Sequence, residues 1–160
     1  MAKLLLIKHA APAMAPQTPS HRWVLSEEGR RACDPLAEEL RLHRVSRIYS
    51  SLEPKALETA ALVAMRLGLE VRPRAGLQEN DRSGLGFVER GQLERLIAGF
   101  FDRPDERVIG AETAAEALQR FEQAVRSLAA EEPEGTAVVV THGTVLTLLI
   151  AKYNPISPRT

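Results

Sequence analysis

Leu4-Leu5-Leu6-Ile7-Lys8-His9 and Ala137-Val138-Val139-Val140-Thr141-His142-Gly143 share one pattern, a short unbroken apolar run that leads into a histidine. A strand with one wet face alternates apolar and polar residues. An unbroken run therefore predicts a strand buried on both faces, as in a parallel sheet covered by helices. The chain between the two runs supplies those helices.

Working outward from the first run, the segment from Ala10 to Trp23 contains Pro12, Pro16 and Pro19 and reads as an irregular loop. Ser26 follows as an N-cap, with Glu27 and Glu28 suited to the positive end of a helix running to about Leu42. Cys33, Leu36, Ala37 and Leu40 fall on one face of that helix. Val45 to Ser51 predicts a second strand. Ser51 is placed to cap a helix from about Leu52, with Pro54 in the first turn, where a missing N–H is harmless. That helix carries Lys55 in its first turn, turns Ala56, Ala60, Val63, Ala64 and Leu67 inward, and stops at Gly68.

Glu70 to Arg72 is a short strand candidate. It leads to the loop Leu77-Gln78-Glu79 and a glycine-rich stretch from Ser83 to Gly91. A middle helix is predicted over Gln92 to Phe101. Thr113 and Glu116 have capping-box spacing, and Ala117, Leu118, Phe121, Ala124, Val125 and Leu128 continue at helical spacing until Glu132-Pro133-Glu134-Gly135. The second apolar run comes next, followed by a helix over Val145 to Ala151. Strands alternating with helices predict an α/β fold: a three-layer sandwich, a mostly parallel central sheet with helices on both faces, one domain over residues 1–160. Ligands of such sheets collect at the carboxyl ends of the strands, where both His9 and His142 stand.

The 160 residues carry 21 basic and 21 acidic side chains, and neither sign forms a long block. This argues against a nucleic-acid groove or a polybasic membrane patch, so any anion specificity is local. The opening apolar run is too short for a signal segment, and no later run is long enough to span a bilayer. Cys33 is the single cysteine, which excludes an internal disulfide and suits a cytoplasmic setting. On the apolar stripe it reads as core. His21 and His43 read as surface residues, although His21 and Arg22 lie in the loop after His9, within reach of a substrate. Gly84-Leu85-Gly86 lacks the strand and third glycine of a dinucleotide fingerprint.

Leu6-Ile7-Lys8-His9-Ala10 resembles the opening motif of the histidine phosphatase superfamily (phosphoglycerate mutase-like), a strand ending in Arg-His-Gly. Lys8 and Ala10 depart from that motif. Ser50-Ser51-Leu52-Glu53-Pro54-Lys55-Ala56-Leu57-Glu58-Thr59-Ala60 resembles the second motif, in which Ser-Ser is followed by Arg-Ala and Gln-Thr-Ala, again with Lys in place of Arg at 55. Leu77-Gln78-Glu79 is similar to the family's Leu-x-Glu. Gly110-Ala111-Glu112-Thr113 is similar, with an insertion, to its Gly-Glu-Ser/Thr helix start, and Trp23 to Gly29 to the Leu-Ser-x-x-Gly turn. Val139-Val140-Thr141-His142-Gly143 matches the last motif without substitution. The family's segment after the last helix is short or absent here, since the chain stops soon after Asn154-Pro155-Ile156-Ser157-Pro158, and an edge strand is expected to be missing.

The resemblance implies that His9 is the nucleophile that becomes a phosphohistidine, that Glu79 is the general acid and base, and that His142 donates to a phosphate oxygen. Lys8, Lys55, His142 and Gly143 would hold the phosphate. No metal or cofactor is expected, because the lysines repel a cation and the histidine spacing forms no ligand pair on one helix. The implied partner is a small phosphorylated substrate or a phosphoprotein, without nucleic acid or membrane. Three activities remain open. A phosphomonoester hydrolase working through His9 comes first. A weakly active or non-catalytic phosphate-ligand binder of the same fold is suggested by the two lysines, because arginine offers a planar fork where lysine offers a point charge. A mutase-type isomerase comes third, since the short spacing between motifs leaves little room for a sugar-acid pocket.

Overall fold

The computed structural model describes residues 3–132 and 134–154. Pro133 of the expected helix stop, and residues 155–160, on which the expected loss of an edge strand rests, lie outside the described residues.

Four parallel strands form the sheet in the order β1 (Lys3–Lys8), β4 (Thr136–Thr141), β2 (Val45–Ser50), β3 (Val71–Pro73). The two apolar runs are neighbours, paired in register from Lys3 with Thr136 to Lys8 with Thr141. Period-two alternation sends Leu4, Leu6, Ala137 and Val139 to one face. There they pack with Phe100, Phe121, Val145 and Leu148 of the helices α3 (Arg90–Asp102), α4 (Ala114–Glu131) and α5 (Gly143–Tyr153). Leu5, Ile7, Val138 and Val140 take the other face, against Cys33, Ala37, Ala60 and Val63 of α1 (Glu27–Arg41) and α2 (Pro54–Leu67). Both faces need apolar side chains, which is why the runs are unbroken. Val138, Val139 and Val140 are fully buried, each contributing about 1.5–3 kcal/mol of transfer free energy. The α/β three-layer sandwich expected from sequence is the observed architecture. Among the described residues, no helix is long and apolar enough to cross a membrane.

The caps fix where the helices begin. Ser26 Oγ accepts from Gly29 N at the start of α1, and Thr113 with Glu116 closes a full capping box on α4. Gly68 ends α2 in the left-handed region at φ 68°, the conformation glycine adopts without a Cβ penalty. One helix start differs from expectation. The cap of α2 is Glu53, with no side-chain cap bond, and Pro54 is the first helical residue. Ser51 stands two residues before that cap, where its hydroxyl accepts from Glu53 N at 3.3 Å and is paired with His142 Nε2, 2.6 Å away at the neighbouring strand end.

Helix α1 also anchors the chain just beyond His9. The Ala11 carbonyl accepts from Ser26 N and Ser26 Oγ, both at 3.0 Å, and a Cβ on Gly29 would overlap that carbonyl oxygen. Gly29 is thus required for the close approach of loop to helix. Gly29→Ala is expected to lower stability by about 1–3 kcal/mol through forced displacement of the Ala11 segment. Urea unfolding of the two proteins checks this, and an unchanged midpoint would contradict it.

Candidate active site

The β1–β4 pairing continues one residue past β1, where His9 N donates to Thr141 O at 2.9 Å. This holds the two strand-end histidines together, with ring centroids 5.1 Å apart and planes tilted by 58°. His9 Nδ1 lies 2.7 Å from Ala10 O. A carbonyl only accepts, so Nδ1 carries the proton and Nε2 keeps the lone pair. Burial is the main cause holding the His9 imidazole below the ordinary histidine value, with Lys55 and Lys8 pushing the same way and the Ala10 carbonyl and Glu79 opposing. His9 is therefore a neutral base at neutral pH. The loop carrying it is pinned by Ala10 N donating to Thr59 Oγ1 at 3.0 Å, which gives the Glu58-Thr59-Ala60 motif a structural reason.

His142 is fully buried beneath this loop. Its Nε2 is paired with Ser51 Oγ and lies 3.7 Å from Glu53 Oε1, while Nδ1 has no partner among the described residues. Burial first, then neighbouring His9, Lys55, Arg82 and Arg120, push it down to about 2. In this conformation the ring supports His9 from within the core and does not line the cleft around it.

Glu79 rests on the N-terminus of α5. Its two carboxylate oxygens accept from Thr144 N (3.1 Å) and Val145 N (3.2 Å), donors with no partner inside the helix. Its own N–H donates to Glu53 Oε1 at 3.0 Å. The loop is clamped from α4 by Arg120, whose guanidinium donates to the carbonyls of Gly76, Gln78 and Glu79 and to both oxygens of Glu112. Glu112 also accepts from Asp81 N. One planar group with five donors thus fixes the segment that carries the acid.

A cleft of about 530 Å³ opens at this end of the sheet and is lined by Lys8, His9, Lys55, Glu79, Arg82 and Thr144 among others. Lys8 is exposed, and its stem lies over Gly143: a Cβ there would meet Lys8 Cδ and Cε at 3.6 Å. Lys55 is only 6% exposed. Its Nζ donates to Ser20 O at 2.6 Å and lies 2.8 Å from Glu53 Oε2, an ion pair by distance whose angles do not make a hydrogen bond. An adjoining cleft of about 570 Å³ shares Ser20, Glu79 and Arg82 and adds His21, Arg22 and Asn80, but not His9.

All the residues expected from sequence, His9, Glu79, His142, Lys8, Lys55 and Gly143, come together here, with His142 behind the cleft wall. Sequence reading missed Ser51, Glu53, Arg82 and Arg120. Ser51 and Glu53 stood inside a quoted motif, so a signal existed. Arg82 and Arg120 carried none, because the Thr144 hydroxyl that Arg82 meets and the loop carbonyls that Arg120 meets lie far away along the chain.

The arrangement defines a class, an α/β sandwich presenting a histidine pair, a carboxylate and several cations at the carboxyl edge of its sheet. The chain belongs to the histidine phosphatase superfamily (branch 1), whose profile matches residues 4–160. Over 139 residues it is 30% identical to phosphoglycerate mutase-like protein 4 of Arabidopsis thaliana, covering 82% of this chain and 60% of that protein. Among solved structures it is similar to a mycobacterial glucosyl-3-phosphoglycerate phosphatase in complex with VO3, at 25% identity and a TM-score of 0.76 over 96% of this chain and 80% of that one. It is also similar to a mutant of Entamoeba histolytica phosphoserine phosphatase in complex with phosphoserine, at 21% identity and a TM-score of 0.79 over 99% and 82% of the two chains.

Two outcomes follow from this packing. The folded protein keeps His142 neutral down to about pH 2, whereas the unfolded chain takes up a proton near 6.5. Below pH 6.5 the unfolded state therefore binds the extra proton, and stability falls with falling pH by up to about 1.4 kcal/mol per unit from this group. Denaturation midpoints between pH 7 and 4 are expected to slope less in His142→Asn, and equal slopes would contradict the assignment. Arg120→Gln strands carbonyls and Glu112, with an expected loss of about 1–3 kcal/mol and faster amide exchange at Asp81. Undiminished protection of that amide would contradict the clamp.

Proposed function

We propose that the chain hydrolyses phosphomonoesters through a phosphohistidine on His9. The observation that carries this reading is the Nδ1 contact with the Ala10 carbonyl, which leaves the Nε2 lone pair on a neutral ring in a cation-lined cleft. In the first step Glu79, having taken the proton that a monoanionic phosphate ester brings, passes it to the departing oxygen as Nε2 bonds to phosphorus and the P–O ester bond breaks. In the second, water bonds to phosphorus, its proton passes to Glu79, and the N–P bond breaks to release phosphate and restore neutral His9. Lys8 and Lys55 offset charge on the nonbridging oxygens, while Gly143 leaves room for the Lys8 stem. In this reading His142 serves chiefly as a neutral support for His9, and it donates to a phosphate oxygen only if its ring leaves Ser51.

Membership of the superfamily supports this chemistry, as does the likeness to a phosphatase solved with VO3. The substrate is a metabolite-sized phosphate ester or a phosphorylated side chain, which clefts of this volume accommodate. A cytoplasmic setting suits the lone cysteine, Cys33, which is fully buried. A second reading, phosphate binding with little turnover, is favoured by Lys55 being already held by Ser20 and Glu53.

Rapid quench with a ³²P-labelled aryl phosphate separates them. Acid-labile label on wild type, with turnover lost at least a thousandfold in His9→Ala, is the expected result. Full turnover by His9→Ala would overturn the mechanism. Phosphate binding without turnover, restored by Lys8→Arg with Lys55→Arg, would establish the binder, and isomerisation exceeding phosphate release would establish a mutase.

A further inference from the structure

Two positions at which the superfamily carries arginine are lysines here, so the bidentate fork that matches two phosphate oxygens is missing from the end of β1 and from the first turn of α2. Lys55 in addition shares its charge with Glu53, 2.8 Å away. Among the described residues lining the His9 cleft, the cations are Lys8, Lys55 and Arg82, and only Arg82 has a planar guanidinium. Its position is built. The side chain is 19% exposed, Nη2 donates to Thr144 Oγ1 at 3.0 Å, and Nε donates to Asn80 Oδ1 at 3.3 Å. Asn80 is itself 3% exposed. Among the described residues Nη1 takes part in no hydrogen bond, and Nη2 carries a second hydrogen besides the one it gives to Thr144. Nη2 also lies 3.6 Å from Glu79 Oε2, which sets the fork beside the acid.

Resting on the phosphatase reading, we infer that Arg82 is the bidentate phosphate-binding residue of this site, supplied by the loop after Glu79. It lines both the His9 cleft and the adjoining one, as Glu79 does. Anchored through Thr144 and Asn80, it needs little ordering when the anion arrives. Lys8 and Lys55 then add charge without geometry.

The test is calorimetric binding of inorganic phosphate to the intact chain, with turnover of an aryl phosphate measured in parallel. Arg82→Gln is expected to weaken phosphate binding at least tenfold and to lower kcat by about a hundredfold to a thousandfold, the usual effect of removing one oriented donor. Arg82→Lys keeps the charge but loses the fork, and is expected to recover only part of the binding. Lys8→Arg in the Arg82→Gln background returns a fork to the cleft and is expected to raise affinity again. Arg82→Gln and Arg82→Lys proteins that bind phosphate within twofold of wild type would overturn the inference, even where turnover falls. Such a result would mean that Arg82 only braces Glu79. If wild type shows no measurable phosphate binding, the inference also falls. Arg82-dependent binding without any turnover would uphold it while removing the hydrolase reading. Turnover through His9 that ignores Arg82 would do the reverse.

Discussion

The parallel pairing of β1 with β4 is the constraint on which the site depends. Its register brings Lys8 opposite Thr141, and the next bond, His9 N to Thr141 O, extends the ladder by one residue. Two histidines 133 positions apart in sequence are thereby set with ring centroids 5.1 Å apart. A slip of one residue in either strand would exchange its two faces, sending Val138 and Val140 toward α4 and removing the histidine contact. Core packing on both faces therefore enforces the geometry of the cleft.

Charge is arranged around that pair in layers. His142, sealed in the core, and His9, at its surface, are both held neutral chiefly by burial. Acids and cations surround them as near neighbours: Glu53 with Lys55, Glu79 with Arg82, Glu112 with Arg120. Each acid also accepts a backbone N–H from the Glu79 loop or from α5, so the same contacts that balance charge fix the chain. Such a site can receive a dianion without rebuilding its backbone. Two of its cations, Lys55 and Arg82, must share their charge with a carboxylate already in place.

Much of this was legible in sequence. The unbroken runs before His9 and His142 announced strands covered on both faces, and the capping signals at Ser26, Thr113 and Gly68 placed helix ends correctly. The start of α2 differs from expectation because the chain turns helical only at Pro54, two residues later than a Ser51 cap requires, and the Ser51 hydroxyl both accepts from Glu53 N and meets His142, a partner that only the fold brings near. Arg82 and Arg120 were invisible for a related reason. An arginine in a polar loop or on a helix gives no periodic signal, and its carbonyl or hydroxyl partners lie 41 to 62 positions away. The inward retreat of His142 was equally hidden, since both strand ends read alike.

The central claim is that His9 Nε2 is the atom that meets phosphorus. A crystal structure of the chain with orthovanadate tests it most directly, because vanadate takes the five-coordinate shape of a phosphoryl group in transfer. Vanadium within bonding distance of His9 Nε2, with Nδ1 still on the Ala10 carbonyl, is the expected result. Vanadate bonded to another side chain, or seated in the adjoining cleft away from His9, would contradict the mechanism.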